Sequence, residues 1–258
     1  MTIGAQLYTV RKFTQTESDF DESMRKISGM GYTCVQVSAV GDIPAKRLRS
    51  ICDARNIKIV ITHTDPDRVL NDTENVIAEH RVLGADYIGI GGLPSRYRSG
   101  AAAVDNFAAD YLPAARKIAD AGMKFMYHNH HFEFEKVGGG LIIDRIAAGF
   151  PPELMGIILD TYWVQAGGAD PAHWLEKFSG RVEAIHFKDM AIVKDENGNA
   201  AQAMCPILEG NLNWTAIFGA CERAGVLYSF IEQDDCYGED PFGCLELSLR
   251  NLNRYGYR

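Results

Sequence analysis

The sequence predicts a single (β/α)8 TIM barrel of the α/β class, and three observations carry that prediction. Eight short apolar segments rich in β-branched residues alternate with amphipathic stretches of helical length. The alternation fills 258 residues, close to the roughly 250 that one such barrel takes. The first strand runs into Tyr8-Thr9-Val10-Arg11-Lys12, with none of the G-x-G-x-x-G turn that a doubly wound nucleotide-binding sheet places there. No linker or low-complexity segment divides the chain, so residues 1–258 are read as one domain.

The strands are expected at 3–10, 33–38, 58–62, 87–91, 124–129, 156–160, 184–188 and 228–232. Ser18-Asp19 precede the first helix and Pro44 opens the second; these residue types satisfy or spare the unpaired amides of a first helical turn. Ser28-Gly29-Met30-Gly31-Tyr32, Ala54-Arg55-Asn56, Leu83-Gly84-Ala85-Asp86 and Asp120-Ala121-Gly122-Met123 are the turns that stop a helix and enter strands two to five. Gly89-Ile90-Gly91-Gly92 ends the fourth strand as a weak glycine cluster, and Arg96 and Arg98 behind it read as solvated loop charges rather than an anion site. Gly138-Gly139-Gly140 reads as a flexible loop ahead of a helix. Asp170-Pro171, Asn213-Trp214 and Asp240-Pro241 open the last three helices. Residues 190–213 are the longest irregular stretch, with 194–199 as an exposed polar tip.

Composition narrows the function classes. Apolar residues make up 47% and charged residues 23% of the chain, which is globular usage. Lys and Arg number 26 against 34 Asp and Glu, a net charge of −8, so no nucleic-acid partner is expected. No apolar run reaches the roughly 18 residues of a membrane span, and the first residues lack a secretory signal pattern. The expected location is cytoplasmic. The six cysteines form no C-x-x-C pair and read as reduced thiols; a Cys236–Cys244 pairing is the alternative.

In a barrel, chemistry gathers where strands end at their carboxyl termini. The fifth strand ends in Tyr127-His128-Asn129-His130-His131-Phe132-Glu133, and the sixth in Leu159-Asp160-Thr161-Tyr162-Trp163. The seventh ends in Ile185-His186-Phe187-Lys188-Asp189, and the eighth in Ile231-Glu232-Gln233-Asp234-Asp235. Four successive strand ends thus bring imidazoles and carboxylates to one rim. This oxygen and nitrogen donor set suits one divalent ion, manganese first, with magnesium, cobalt and zinc as alternatives. Strand alternation sends His128 and His130 to one face and Asn129 and His131 to the other.

These motifs resemble the xylose-isomerase-like TIM barrels, the sugar phosphate isomerase/epimerase family, from Ile3 to about Tyr255. Glu209-Gly210 ahead of Trp214 belongs to the same pattern. The resemblance implies metal ligands from strands five to eight: Glu133, Asp160, His186 and Glu232, with His128 as the alternative at the first position. Trp163 stands where a ketose 3-epimerase would offer a substrate-binding histidine.

The implied function is a metal-dependent isomerase or epimerase acting on a sugar or keto sugar by proton abstraction beside a carbonyl, of the enediolate type. His128, His130 and Glu232 are the base candidates; an unperturbed histidine pKa of about 6.5 suits that task. His63, Trp163 and Lys188 are expected to bind substrate. Lys188 shares its strand face with His186 and alternatively pairs with Asp189 or Asp234. Gln6 and Tyr8 line the floor or plug the barrel. The alternatives are a lyase, as in C-glycoside deglycosidases acting on a 3-keto sugar, and a non-catalytic sugar-binding subunit. An abasic-site endonuclease, also found in the superfamily, fits the acidic charge poorly. The partners expected are a small-molecule sugar and a second copy or a different subunit.

Overall fold

Side chains alternate across a β-strand, so each strand of a barrel has one face turned inward and one turned to the helices. In a computed structural model describing residues 1–257, eight parallel strands close on themselves. They are β1 (Thr2–Gln6), β2 (Cys34–Val37), β3 (Lys58–His63), β4 (Tyr87–Ile90), β5 (Lys124–His128), β6 (Met155–Asp160), β7 (Ala184–Phe187) and β8 (Tyr228–Ile231). Each pairs with its sequence neighbours, and β8 pairs with β1 to complete the ring. All eight expected strands are present.

The inward face is layered. Cys34, Met126, Ile158, Ala184 and Phe230 fill the barrel with an apolar plug. Two residues beyond the last four of these, on the same face, come His128, Asp160, His186 and Glu232. The plug is the floor under those polar side chains. The outward residues, among them Val35, Ile59, Ile88, Phe125, Ile157 and Ile185, join the buried faces of the surrounding helices in the larger core.

The helix starts follow the expected chemistry. Asp170, Asn213 and Asp240 accept hydrogen bonds from the first-turn amides of helices Pro171–Lys177, Trp214–Ala224 and Pro241–Tyr255. In the first helix, Glu17–Met30, the cap is Thr16 rather than Ser18-Asp19: its hydroxyl accepts from the Asp19 amide.

Four local expectations change. The first strand stops at Gln6, whose side chain accepts a bond from the Tyr8 amide and turns the chain into a 3-10 helix, Leu7–Phe13. Two short helices, Pro66–Asn71 and Thr161–Ala166, supplement the expected eight. Gly138 and Gly139 turn a small hairpin between Lys136–Val137 and Gly140–Leu141 instead of forming an open loop. The stretch after β7 is an antiparallel hairpin, Asp189–Lys194 with Ala200–Cys205, and 194–199 is its exposed tip.

Asp189 anchors that hairpin. Its buried carboxylate accepts bonds from the amides of Met190, Leu208, Gly210 and Leu212 and from the Trp214 indole. A side chain at 210 would meet Asp189 Oδ1 and the Met190 carbonyl at 2.5 Å, so only glycine admits this approach. The Glu209-Gly210 and Trp214 motif therefore serves the loop. All six cysteines are free thiols. Among the described residues, no helix is long and apolar enough to cross a membrane.

Candidate active site

His128, Asp160, His186 and Glu232 each offer one ligand atom, and all four atoms lie within 4.8 Å of one another. Two ligands on opposite sides of a divalent ion stand about 4.4 Å apart at bond lengths near 2.2 Å, so the four need only contract slightly around a common centre. All four residues are buried.

The hydrogen bonds behind the histidines determine which nitrogens face inward. His128 Nδ1 lies 3.2 Å from the Gly91 carbonyl, which only accepts, so Nδ1 carries the proton. Its Nε2 lone pair then faces Asp160 Oδ2 at 3.3 Å. His186 Nε2 donates to Gln36 Oε1 at 2.8 Å. Its Nδ1 faces Glu232 Oε2 at 2.9 Å and Asp160 Oδ2 at 3.7 Å, and neither Nδ1 nor Oε2 completes a hydrogen bond. In neutral histidines these are lone pairs pointed at carboxylates, an arrangement that needs a proton or a cation between them. An imidazole that donates one N–H to a fixed acceptor and turns its other nitrogen inward is the usual form of a metal ligand. The donor set therefore fits a divalent ion.

Lys188 enters the same centre. Its ammonium, buried like the others, lies 2.8 Å from Glu232 Oε2, 3.1 Å from Asp160 Oδ2 and 3.0 Å from Asp234 Oδ2. Burial alone would raise the Asp160 carboxyl, but the charge of the Lys188 ammonium holds it well below the ordinary range. Glu232 is likewise held down by Lys188 and His186 against burial. Burial works to lower His186, yet the Glu232 and Asp160 carboxylates raise it. Burial and the Glu232 charge push Asp234 up to about 7, against the pull of Lys188.

Above this centre lies a cavity of about 280 Å³ lined by Tyr8, Ser38, His63, Gly91, His128, His130, Lys188, Glu232 and Asp234. The His63 ring lies 5.1 Å from that of His128 and 5.5 Å from that of His186. Burial, with the neighbouring histidines, depresses His63 well below the usual value. Burial and the nearby His128 push His130 down to about 3. The His130 Nδ1, the His63 Nε2 and the Trp163 indole nitrogen are buried without a hydrogen-bond partner among the described residues. At Gly92, φ is +148° and a Cβ would lie 3.0 Å from His130 Nδ1. The glycine cluster thus makes room for that ring.

Glu133, expected as the first ligand, is placed elsewhere. Its carboxylate accepts from the Tyr127 hydroxyl at 2.6 Å and the His130 amide at 2.8 Å. Tyr127 leaves β5 on the face opposite His128, among the outer core residues, so it holds Glu133 away from the mouth. Burial pushes Glu133 up to about 7 against those two bonds. His128 completes the four-residue group instead. Trp163 stands beside the mouth, 5.3 Å from His130 and with the Lys188 ammonium 5.4 Å from its ring centre. Lys188 pairs with Asp234, one of its two expected partners, and not with Asp189.

Arg96 pairs with Asp67, and Arg98 lies over Phe132 and bonds the Leu93 carbonyl. Neither lines the mouth. Gln36 and Asn129 belong to the site without a sequence signal that singles them out. Asn129 accepts the Asp160 amide at 3.1 Å and so fixes the sixth strand end. These roles depend on pairings between strands, which spacing along the chain does not reveal.

Comparison with known proteins agrees with this architecture. Residues 24–232 match the family model described as xylose isomerase-like TIM barrel. A sugar phosphate isomerase/epimerase of Parabacteroides distasonis superposes with a TM-score of 0.83 at 22% identity, covering 99% of this chain and 94% of that one. An L-ribulose 3-epimerase superposes with a TM-score of 0.73 at 14% identity, over 98% and 94% of the two chains. In sequence, an inosose dehydratase of Geobacillus thermodenitrificans is 28% identical over 141 residues, 48% of this chain. The match spans 45% of that protein, less than half its length.

Proposed function

The chain belongs to the xylose isomerase-like TIM barrel family, and on that premise we propose that it is a divalent-metal-dependent isomerase or epimerase acting on a sugar or keto sugar. The observation that carries this reading is the facing of the His128 and His186 lone pairs toward Asp160 and Glu232. His128, Asp160, His186 and Glu232 would hold the ion, with manganese the first choice. A bound divalent ion supplies Lewis-acid polarisation of a substrate oxygen.

The protein's own groups handle the rest. His63, Lys188 and Trp163 bind and orient sugar hydroxyls; His63 and Trp163 each offer a buried, unpartnered nitrogen for that purpose. A base removes the proton from the carbon beside the carbonyl; the electron pair of that C–H bond forms a carbon–carbon double bond, and the carbonyl π pair moves onto the oxygen. His128 and Glu232, both ligands in this reading, are weaker base candidates than His130. His130 keeps Nδ1 free and, being depressed, is unprotonated at neutral pH; Glu232 is ionised beside the same cavity. Return of the proton to the other face gives epimerisation, and return to the neighbouring carbon gives isomerisation.

A second reading is elimination, supported by the likeness to an inosose dehydratase. Here the same proton abstraction is followed by departure of a β-hydroxyl, which leaves as water after gaining a proton.

The experiment is metal content per chain, followed by incubation of Mn²⁺-supplied protein with keto sugars in deuterated water. One ion per chain and deuterium at the carbon beside the carbonyl are expected, with a loss of water marking the dehydratase. Turnover without exchange at any substrate carbon would overturn the proton-abstraction mechanism. Metal with tight sugar binding but no exchange would make the chain a binding subunit.

A further inference from the structure

Three carboxylates, Asp160, Glu232 and Asp234, surround one ammonium, that of Lys188. With neutral histidines and all three carboxylates ionised, this centre has a net charge of −2, which one divalent cation balances. Two of the oxygens in contact with Lys188, Asp160 Oδ2 and Glu232 Oε2, are the same two that face the inward nitrogens of His128 and His186. Lys188 meets Glu232 Oε2 at 2.8 Å without the alignment of a hydrogen bond, as a compact point charge does. With Asp234 the geometry differs: both carboxylate oxygens accept proper hydrogen bonds from Nζ, at 3.0 and 3.1 Å. Asp234 is also the most open of the three, with a quarter of its side chain exposed, and it stands on the cavity side.

Resting on the metal reading above, we propose that Lys188 is a resident counter-ion that exchanges places with the metal: its ammonium neutralises Asp160 and Glu232 in the metal-free protein and withdraws onto Asp234 when a divalent cation binds. The exchange keeps a buried pair of carboxylates compensated at every stage, which spares the desolvation cost of an uncompensated buried charge. It also leaves the ammonium at the cavity wall in the metal-bound protein, beside the space for substrate. Asp234 is thereby a positioning residue that acts through Lys188.

The test is a double-mutant cycle on cation affinity, using Mn²⁺ and Co²⁺ as probes, read by calorimetry and by the Co²⁺ absorption spectrum. Lys188→Met is expected to tighten binding by about tenfold or more. Asp234→Asn is expected to weaken it by about threefold or more in the wild-type background and by less than about twofold beside Lys188→Met. An equal effect of Asp234→Asn in both backgrounds would mean simple charge loss and would overturn the exchange, as would an unchanged affinity in Lys188→Met. Should Lys188→Met fail to fold, a crystal structure of the wild-type protein with Mn²⁺ decides. Lys188 on Asp234 and away from Asp160 and Glu232 is expected; Lys188 still in contact with those two refutes the proposal. Metal bound by Lys188→Met but not by the wild type would uphold the counter-ion role and sink the metal reading for the native chain. No metal in any variant would end both.

Discussion

The two halves of the barrel end their strands differently. β1 to β4 present Gln6, Gln36, Ser38 and His63, polar groups that carry no charge when the histidine is neutral. β5 to β8 present His128, Asp160, His186, Lys188, Glu232 and Asp234, where every ionised group of the centre resides. Two hydrogen bonds reach from the first half to histidines of the second: Gln36 holds His186, and the Gly91 carbonyl holds His128. The first half fixes the direction of the imidazoles that the second half supplies. The same contrast separates two buried histidines. His80, in the helix Thr73–Leu83 behind the first half, has both ring nitrogens bonded, to the Val76 carbonyl and the Thr62 hydroxyl. His186 has one nitrogen bonded and the other turned to carboxylates. Both are buried; only the second leaves an inward nitrogen facing carboxylates.

The largest test removes the charge from the second half. Asp160→Asn with Glu232→Gln should abolish cation binding and lower turnover by about 1000-fold or more, read by metal content and steady-state rate. Asparagine at 160 keeps an oxygen for the Trp163 amide, which Asp160 Oδ1 caps at 2.9 Å, so the fold should survive. A variant that kept its metal would remove the basis of the contrast.

Next comes Asp189→Ala. Five donors would lose one acceptor, and a loss of about 3 kcal/mol is expected in chemical denaturation. A loss under about 1 kcal/mol would show that water replaces the carboxylate and that the hairpin is not held as described.

Gln36→Leu probes the joint between the halves. Cation affinity should fall about tenfold while the barrel stays folded, because His186 loses the acceptor that fixes its ring. Unchanged affinity would make the second half self-sufficient.

The smallest effect belongs to His80. Burial depresses its pKa despite the Val76 bond, so the folded form stays neutral while the unfolded chain protonates near pH 6.5. Below that pH the unfolded state binds the extra proton, and stability falls as pH falls. His80→Gln should flatten the stability profile between about pH 5 and 6.5 by up to about 1.4 kcal/mol per pH unit. An identical slope in the two proteins would mean that His80 protonates in the folded state.

Much of this was legible in the sequence, for reasons visible in particular residues. The barrel strands showed because each is a short apolar run, and their ends showed because Ile158 gives way to Asp160 and Phe230 to Glu232 on one face. Asp160, His186 and Glu232 came to one rim by that rule. Glu133 did not, because it follows the strand end and its direction depends on a Tyr127 hydroxyl across a 3-10 turn. Gln36 gave no signal: it is a glutamine in an apolar strand, and its partner is 150 residues away. Lys188 was placed on the correct face, but three simultaneous carboxylate contacts are a property of the closed ring.

The clasp formed by Asp189 has a consequence for how this chain can change. The hairpin is secured at its root, so the clasp stands between its tip at 194–199 and the His186 imidazole, three residues before Asp189. Lengthening, shortening or replacing that tip leaves the rim geometry as it was. The tip is therefore the place where this barrel can acquire a new recognition element without redesigning its centre.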